Sequence, residues 1–176
     1  MSATESLDIR QFIRDVPDFP QPGVLFRDIT PLLLNQAAFR QVIDSLAELI
    51  ESDSIEALVG IESRGFLFGA PLAYRLGVPF VPIRKAGKLP APVMSVEYSL
   101  EYGTSQLDIH KDALGPGQRV TIVDDVLATG GTAVAAADLV RLTGGTVQTM
   151  VFLAELSLLG GRNRLAQYDV RTLLTY

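Results

Sequence analysis

The sequence contains no cysteine. Disulfides and thiol catalysis are thereby excluded, and the chain fits a reducing, cytoplasmic setting. Histidine occurs once, at position 110, following an alternating segment with no second histidine and no triad beside it. A surface or packing role is expected for His110. Positive charge is also scarce: 15 Lys and Arg face 20 Asp and Glu, a net charge of −5. A general nucleic-acid binder would be basic overall or carry a basic stripe, so no nucleic-acid partner is expected. The one tight basic cluster, Arg84, Lys85 and Lys88, suits a small polyanion instead.

Long apolar runs are missing too. The longest, Gly65 to Tyr74 and Leu76 to Ile83, are split by Arg75 and contain Gly and Pro. A membrane helix would take roughly 20 apolar residues, so no membrane association is expected. Met1 to Gln11 carries Glu5, Asp8 and Arg10 without an apolar core, unlike a secretory signal. Repeats, low-complexity tracts and linkers are absent from the 176 residues, a length that suits one domain. What is abundant is apolar side chain, 48% of residues, with a mean hydropathy of +0.27. That excess suits a buried parallel sheet, a subunit interface, or both.

The periodicity predicts a helix over Leu7 to Val16, with Ile9, Phe12, Ile13 and Val16 on one face. The proline-rich stretch from Asp15 to Gly23 must be extended or turning. Asn35 is placed to cap a helix from Gln36 to Glu51. A strand over Ala57 to Ile61, a helix over Gly65 to Leu76 stopped by Gly77, and a strand over Val78 to Ile83 follow. Between Lys85 and Thr104, glycines and prolines interrupt the pattern, leaving a functional-length loop around a strand at Val93 to Tyr98. Gln106 to His110 is its partner strand. Strands over Arg119 to Val123, Thr146 to Leu153 and Val170 to Leu174 complete the set, with helices over Gly131 to Leu142 and Gly161 to Leu165. Alternating strands and helices predict an α/β fold, a central, mostly parallel sheet flanked by helices.

The segment from Val120 to Thr132 carries the chemistry. Its apolar start is a strand buried on both faces, and Asp124 and Asp125 stand at the carboxyl end, where ligands bind in open α/β sheets. Ala128, Thr129, Gly130, Gly131 and Thr132 follow, then a helix. Glycines let backbone N–H groups approach an anion, and the helix start adds partial positive charge. The pattern is a monophosphate cradle with two carboxylates beside it. The spacing differs from a triphosphatase loop, and no G-x-G-x-x-G dinucleotide fingerprint occurs.

These residues resemble the signature of type I phosphoribosyltransferases. The resemblance narrows to adenine phosphoribosyltransferases through the segments Phe19 to Thr30, Gly60 to Phe66, Arg84 to Pro90, Tyr98 to Gly103, Leu153 to Leu156, and Gly161-Arg162. It implies a single domain over 1–176, with an N-terminal base-binding hood over 1–34 and a flexible catalytic loop over 85–104. The implied reaction moves a phosphoribosyl group from phosphoribosyl pyrophosphate to adenine, giving AMP and pyrophosphate. Magnesium, carried mainly by substrate oxygens, is the implied cofactor, with no direct protein ligand. Resemblance and apolar composition together suggest a homodimer.

By the same resemblance, Leu25, Phe26, Arg27 and Leu156 would bind adenine. Glu62, Ser63, Arg64, Arg84, Lys85, Lys88, Tyr102, Asp124, Asp125 and residues 128–132 would bind phosphoribosyl pyrophosphate. Glu101, Arg64, Asp124 and Asp125 are the candidate catalytic groups, Glu101 as acceptor of the base N9 proton. The peptide between Glu62 and Ser63 is expected to be cis. The alternatives are a 6-oxopurine phosphoribosyltransferase and a non-catalytic nucleotide-sensing regulator on the same fold.

Overall fold

A computed structural model describes residues 6–99 and 104–176, with the side chain of Ser99 excepted. The chain forms two compact units, residues 1–45 and 46–176.

Among the described residues, the first unit holds no long helix before residue 30. A short 3₁₀ turn at Ile9–Phe12 gives way to β1 (Arg14–Pro17), which pairs antiparallel with β2 (Leu25–Asp28). The helix expected over Leu7 to Val16 is therefore corrected to a turn and a strand. Val16 precedes Pro17, which disfavours helical backbone at that position. The register also sets Arg14 opposite Asp28 and Asp15 opposite Arg27, and both cross-strand pairs are ion pairs. Next comes α1 (Thr30–Leu34), a helix the periodicity did not foresee, with Pro31 in its first turn. Asp28 accepts hydrogen bonds from Thr30 N at 2.9 Å and Thr30 Oγ1 at 2.5 Å. Those bonds, with Arg14, lower the Asp28 pKa to about 2. Asn35 caps α2 (Gln36–Ile50) as expected, its Oδ1 accepting from Ala38 N at 3.0 Å.

In the second unit, β3 (Ala57–Ile61) leads into α3 (Arg64–Leu76), closed by left-handed Gly77 at φ +70°. Strands β4 (Phe80–Lys85), β5 (Val93–Ser99) and β6 (Thr104–His110) follow, then β7 (Arg119–Leu127) and α4 (Gly131–Leu142). The chain ends with β8 (Thr146–Glu155), α5 (Gly161–Arg164) and β9 (Val170–Thr175). Seven strands make one sheet in the order β5-β6-β4-β3-β7-β8-β9. The run β4-β3-β7-β8-β9 is parallel, and the β5-β6 hairpin adds antiparallel to the β4 edge. The mostly parallel sheet expected from the alternation is present.

The parallel strands are buried as apolar runs. All five residues of β3 are inaccessible, and Ala57, Val59, Ile61, Val120 and Ile122 pack with Ala133, Ala136, Ala137 and Val140 of α4. Helix α3 approaches the sheet closely because its contacts lack side chains. A Cβ on Gly69 would lie 2.6 Å from the Phe80 ring and 2.9 Å from Val123. Far from the site, Arg171 on β9 bonds Asp53, Asp169 and the Leu49 carbonyl, fastening the end of α2.

Strand β7 does not end at Val123 but stays paired with β8 as far as Leu127 opposite Glu155. Asp124 and Asp125 are thus inside the strand. Backbone pairing continues where the apolar run stops, because the ladder bonds N–H and C=O groups whatever the side chain.

Candidate active site

Two adjacent carboxylates in a strand, Asp125 buried and Asp124 half-buried, are costly unless paired or hydrogen-bonded. Asp124 Oδ1 accepts a hydrogen bond from the Asp125 backbone N–H at 2.9 Å. Burial, and then the neighbouring Asp125 charge, push the Asp124 carboxyl well above its ordinary range. Burial raises Asp125 as well, although Arg64 works against the shift. Arg64 Nε lies 2.9 Å from Asp125 Oδ2, across from an aspartate side chain that is 4% exposed. The pair is poised to meet hydroxyl donors or a cationic centre.

Beyond Leu127 the chain turns through Ala128 and Thr129 to Gly130, whose φ of +82° caps α4. This left-handed backbone favours glycine. The first helical bond runs from Val134 N to Gly130 O at 3.0 Å. The amides of the preceding first turn therefore have no carbonyl of their own helix to bond. They carry the positive end of a helix of 12 residues. Thr129, Gly131 and Thr132 are half-buried around them. Such an arrangement of amides and hydroxyls can cradle a phosphate group.

The cradle is backed by a second glycine. A Cβ on Gly161 would sit 2.2 Å from Ala128 O, and one on Gly130 would sit 2.8 Å from Gly161 O. Leu156 joins the same corner, its N–H bonding Leu127 O at 2.9 Å. Arg162 donates to Glu155 three times, at 2.6–3.1 Å, and to Val170 O at 2.7 Å. The Glu155–Arg162 brace had no assigned role in the sequence; only the seven-residue spacing of opposite charges hinted at it.

At the end of β3, the Glu62–Ser63 peptide is cis, as the resemblance implied. A Cβ on Gly65 would meet Val123 O at 2.8 Å and Asp124 Oδ1 at 3.0 Å, so the start of α3 abuts the aspartate pair. Glu62 turns to the basic cluster: it accepts from Arg84 Nη2 at 3.2 Å and from Lys85 N at 2.9 Å. Burial opposes its charged form, but these hydrogen bonds prevail and hold its pKa below the usual value. Arg84 Nη1 also donates to Lys88 O at 2.9 Å.

The second unit thus brings together Glu62, Ser63, Arg64, Asp124, Asp125, residues 128–132 and Leu156, with Arg84, Lys85 and Lys88 tied in through Glu62. Leu25, Phe26 and Arg27 belong to the first unit. There Phe26 packs edge-on to Phe19 with ring centres 5.1 Å apart, and Arg27 pairs with Asp15. Glu101 and Tyr102 lie outside the described residues. Among the described residues no group of three or more His, Cys, Asp or Glu is arranged to hold a metal ion. No helix among them is long and apolar enough to cross a membrane.

A model of the phosphoribosyl transferase domain matches residues 29–165. An adenine phosphoribosyltransferase of Roseiflexus sp. (strain RS-1) is 56% identical over 169 residues, covering 96% of this chain and 98% of its own. The chain belongs to the adenine phosphoribosyltransferase family. It is an enzyme, a transferase of the glycosyltransferase type. Among solved adenine phosphoribosyltransferases, that of Thermoanaerobacter pseudethanolicus superimposes with a TM-score of 0.94 at 54% identity, covering 96% of this chain and 98% of that one. The Saccharomyces cerevisiae adenine phosphoribosyltransferase, complexed with an iminoaltritol bisphosphate and adenine, gives a TM-score of 0.90 at 43% identity, covering 95% and 97%. The mostly parallel sheet flanked by helices is the frame shared with these structures.

Proposed function

We propose that this chain transfers the 5-phosphoribosyl group of phosphoribosyl pyrophosphate to adenine, forming AMP and releasing pyrophosphate in purine salvage. The observation that carries this reading is the phosphate cradle opening directly beside an adjacent pair of aspartates, one buried and one half-buried. A ribose 5-phosphate presents those two features with the same adjacency: an anion at one end and vicinal hydroxyls next to it.

The residues divide the work. The amides of 128–132 and the hydroxyls of Thr129 and Thr132 take the 5-phosphate. Asp124 and Asp125 accept from the ribose hydroxyls and face the ring as positive charge develops on it. Glu62 and Ser63 form the pyrophosphate loop, and Arg64, Arg84, Lys85 and Lys88 neutralise the leaving group. The bond from ribose C1 to the pyrophosphate oxygen breaks, the bond from C1 to adenine N9 forms, and Glu101 takes the N9 proton. Phe26 stacks on the base, the backbone around Leu25 and Arg27 reads its edge, and Leu156 supplies an apolar contact. Tyr102 and Glu101 belong to a lid over 85–104 that keeps water from the activated sugar.

Magnesium, bound chiefly through substrate oxygens, would offset charge on the pyrophosphate. Asp124 and Asp125, which lie before the cradle in the same strand, would offer it carboxylate oxygens.

Incubation with magnesium, phosphoribosyl pyrophosphate and single bases tests the reading. AMP formation from adenine is expected, with hypoxanthine, guanine and xanthine turned over at least about a hundredfold less efficiently, as a mismatched hydrogen-bonding edge costs. Turnover of only the 6-oxopurines, or tight nucleic-acid binding with no turnover, would defeat it.

We also propose that the protein works as a homodimer. Leu67 and Tyr74 on α3 are 41% and 90% exposed. With exposed Ala70 between them, they form an apolar stripe at helical spacing. Light scattering on the eluting protein should report twice the 19.0 kDa chain mass. A monomer at micromolar concentration would refute this.

A further inference from the structure

Asp108 is a buried charge with no part in binding or transfer as assigned so far. It lies in β6 between Leu107 and Ile109, and its residue is 3% exposed. An ionised carboxylate so placed is costly unless fully hydrogen-bonded. Asp108 meets that condition without a cation. Its Oδ1 accepts from Ser95 Oγ at 2.8 Å and Gln106 Nε2 at 2.7 Å, and its Oδ2 accepts from Gly87 N at 3.1 Å. Burial works against the charge, but these three donors outweigh it and keep the pKa below the ordinary value.

The donors come from three separate pieces of chain. Ser95 is on β5 and Gln106 on β6, the two arms of the hairpin, whereas Gly87 is in the turn after β4. That turn is closed by Lys88 N bonding Lys85 O at 3.3 Å, and Gly87 holds φ +72° within it. Strands β4 and β6 pair only at Arg84 with Asp108 and Lys85 with Leu107, where the chain leaves for the turn. The turn is therefore fixed at two points: Asp108 holds the Gly87 amide, and Arg84 holds the Lys88 carbonyl at 2.9 Å. Lys85 and Lys88 are themselves exposed. Because Asp108 grips backbone N–H and not an ammonium group, it orders the turn without drawing the lysine heads to itself.

We propose that Asp108 is a positioning residue for the transfer reaction, anchoring the Lys85–Lys88 turn to the β5-β6 hairpin so that both lysines face the pyrophosphate group. This rests on the reading that Lys85 and Lys88 bind that group.

The test is steady-state kinetics on a small set of full-length variants. Asp108→Ala should raise KM for phosphoribosyl pyrophosphate about tenfold while leaving KM for adenine within about twofold. Asp108→Asn retains an oxygen for Gly87 N, and the Gln106 amide can turn to meet its NH2 group. It should bring that KM back to within about threefold of wild type. In a Lys85→Ala/Lys88→Ala background, Asp108→Ala should add less than about twofold, because residues acting through one another are not additive. Equal effects on both KM values, no rescue by Asn, or full additivity would overturn the proposal. If the double lysine variant itself leaves KM for phosphoribosyl pyrophosphate unchanged, the pyrophosphate reading fails and the anchor's purpose fails with it. If that variant is impaired but Asp108→Ala is silent, only the anchor fails. Hydrogen exchange on the wild-type protein gives an answer even if Asp108→Ala does not fold. The Gly87 amide should be protected despite its exposed residue, and exchange at an open-loop rate would overturn the anchor.

Discussion

Replacing Gly130 with valine is expected to lower kcat/KM for phosphoribosyl pyrophosphate by about a hundredfold or more. Two costs coincide at this position. At φ +82° a β-branched side chain strains its own backbone. Any Cβ would also lie 2.8 Å from Gly161 O, and Gly161 cannot retreat freely because its own α-carbon faces Ala128 O. The valine therefore pushes residues 128–130 away from α5 and misaims the first amides of α4. It does not simply plug the cradle. Titration with ribose 5-phosphate separates this from general unfolding: a folded variant, judged by circular dichroism, should lose ribose 5-phosphate affinity. Wild-type affinity in that variant would mean the loop is not the phosphate site.

That corner was legible in the sequence because its physics is local. A buried strand, a left-handed glycine and a helix start must follow one another within a dozen residues, and each step restricts the residue types allowed. The alternation of strands and helices likewise disclosed the sheet, since buried parallel strands read as apolar runs. The errors came where non-local pairing decided the outcome. Ile9, Phe12, Ile13 and Val16 have helical spacing, yet Arg14 to Pro17 pair with a strand eight residues further on. Strand β7 extends to Leu127 because β8 continues beside it, which the loss of apolar residues at Asp124 conceals. Asp108 shows the same limit at the site itself. One carboxylate in an alternating strand signals nothing until the β4 turn and the hairpin meet around it. Glu62 illustrates a subtler case: the resemblance assigns it to phosphoribosyl pyrophosphate, and its bonds to Arg84 and to Lys85 N, which no spacing discloses, make it an organiser of cations.

The aspartate pair yields the second large effect, and its sign is the informative part. Asp124→Asn should reduce kcat/KM by about a hundredfold or more, since a neutral amide no longer stabilises charge developing on the ribose. The same change should make the protein more stable. Burial and the Asp125 charge raise the Asp124 pKa in the folded state above its ordinary 3.8. A group raised in this way favours the fold most when protonated, below about pH 3.8, and loses that contribution as pH climbs through the folded value. Above its ordinary range Asp124 is thus a burden that folding carries. Asparagine removes the charge and keeps an oxygen for the Asp125 N–H, while Arg64 remains paired with Asp125. The Asn variant is therefore expected to be the more stable protein at pH 7. The gain should shrink as pH falls and wild-type Asp124 itself takes up a proton. Urea unfolding of both proteins at pH 7 and pH 4.5 measures this directly. An Asn variant less stable than wild type at pH 7 would show that Asp124 is retained for the fold. Greater stability with lost activity is the outcome expected of a charge kept for catalysis, because only the reaction then gains from burying it.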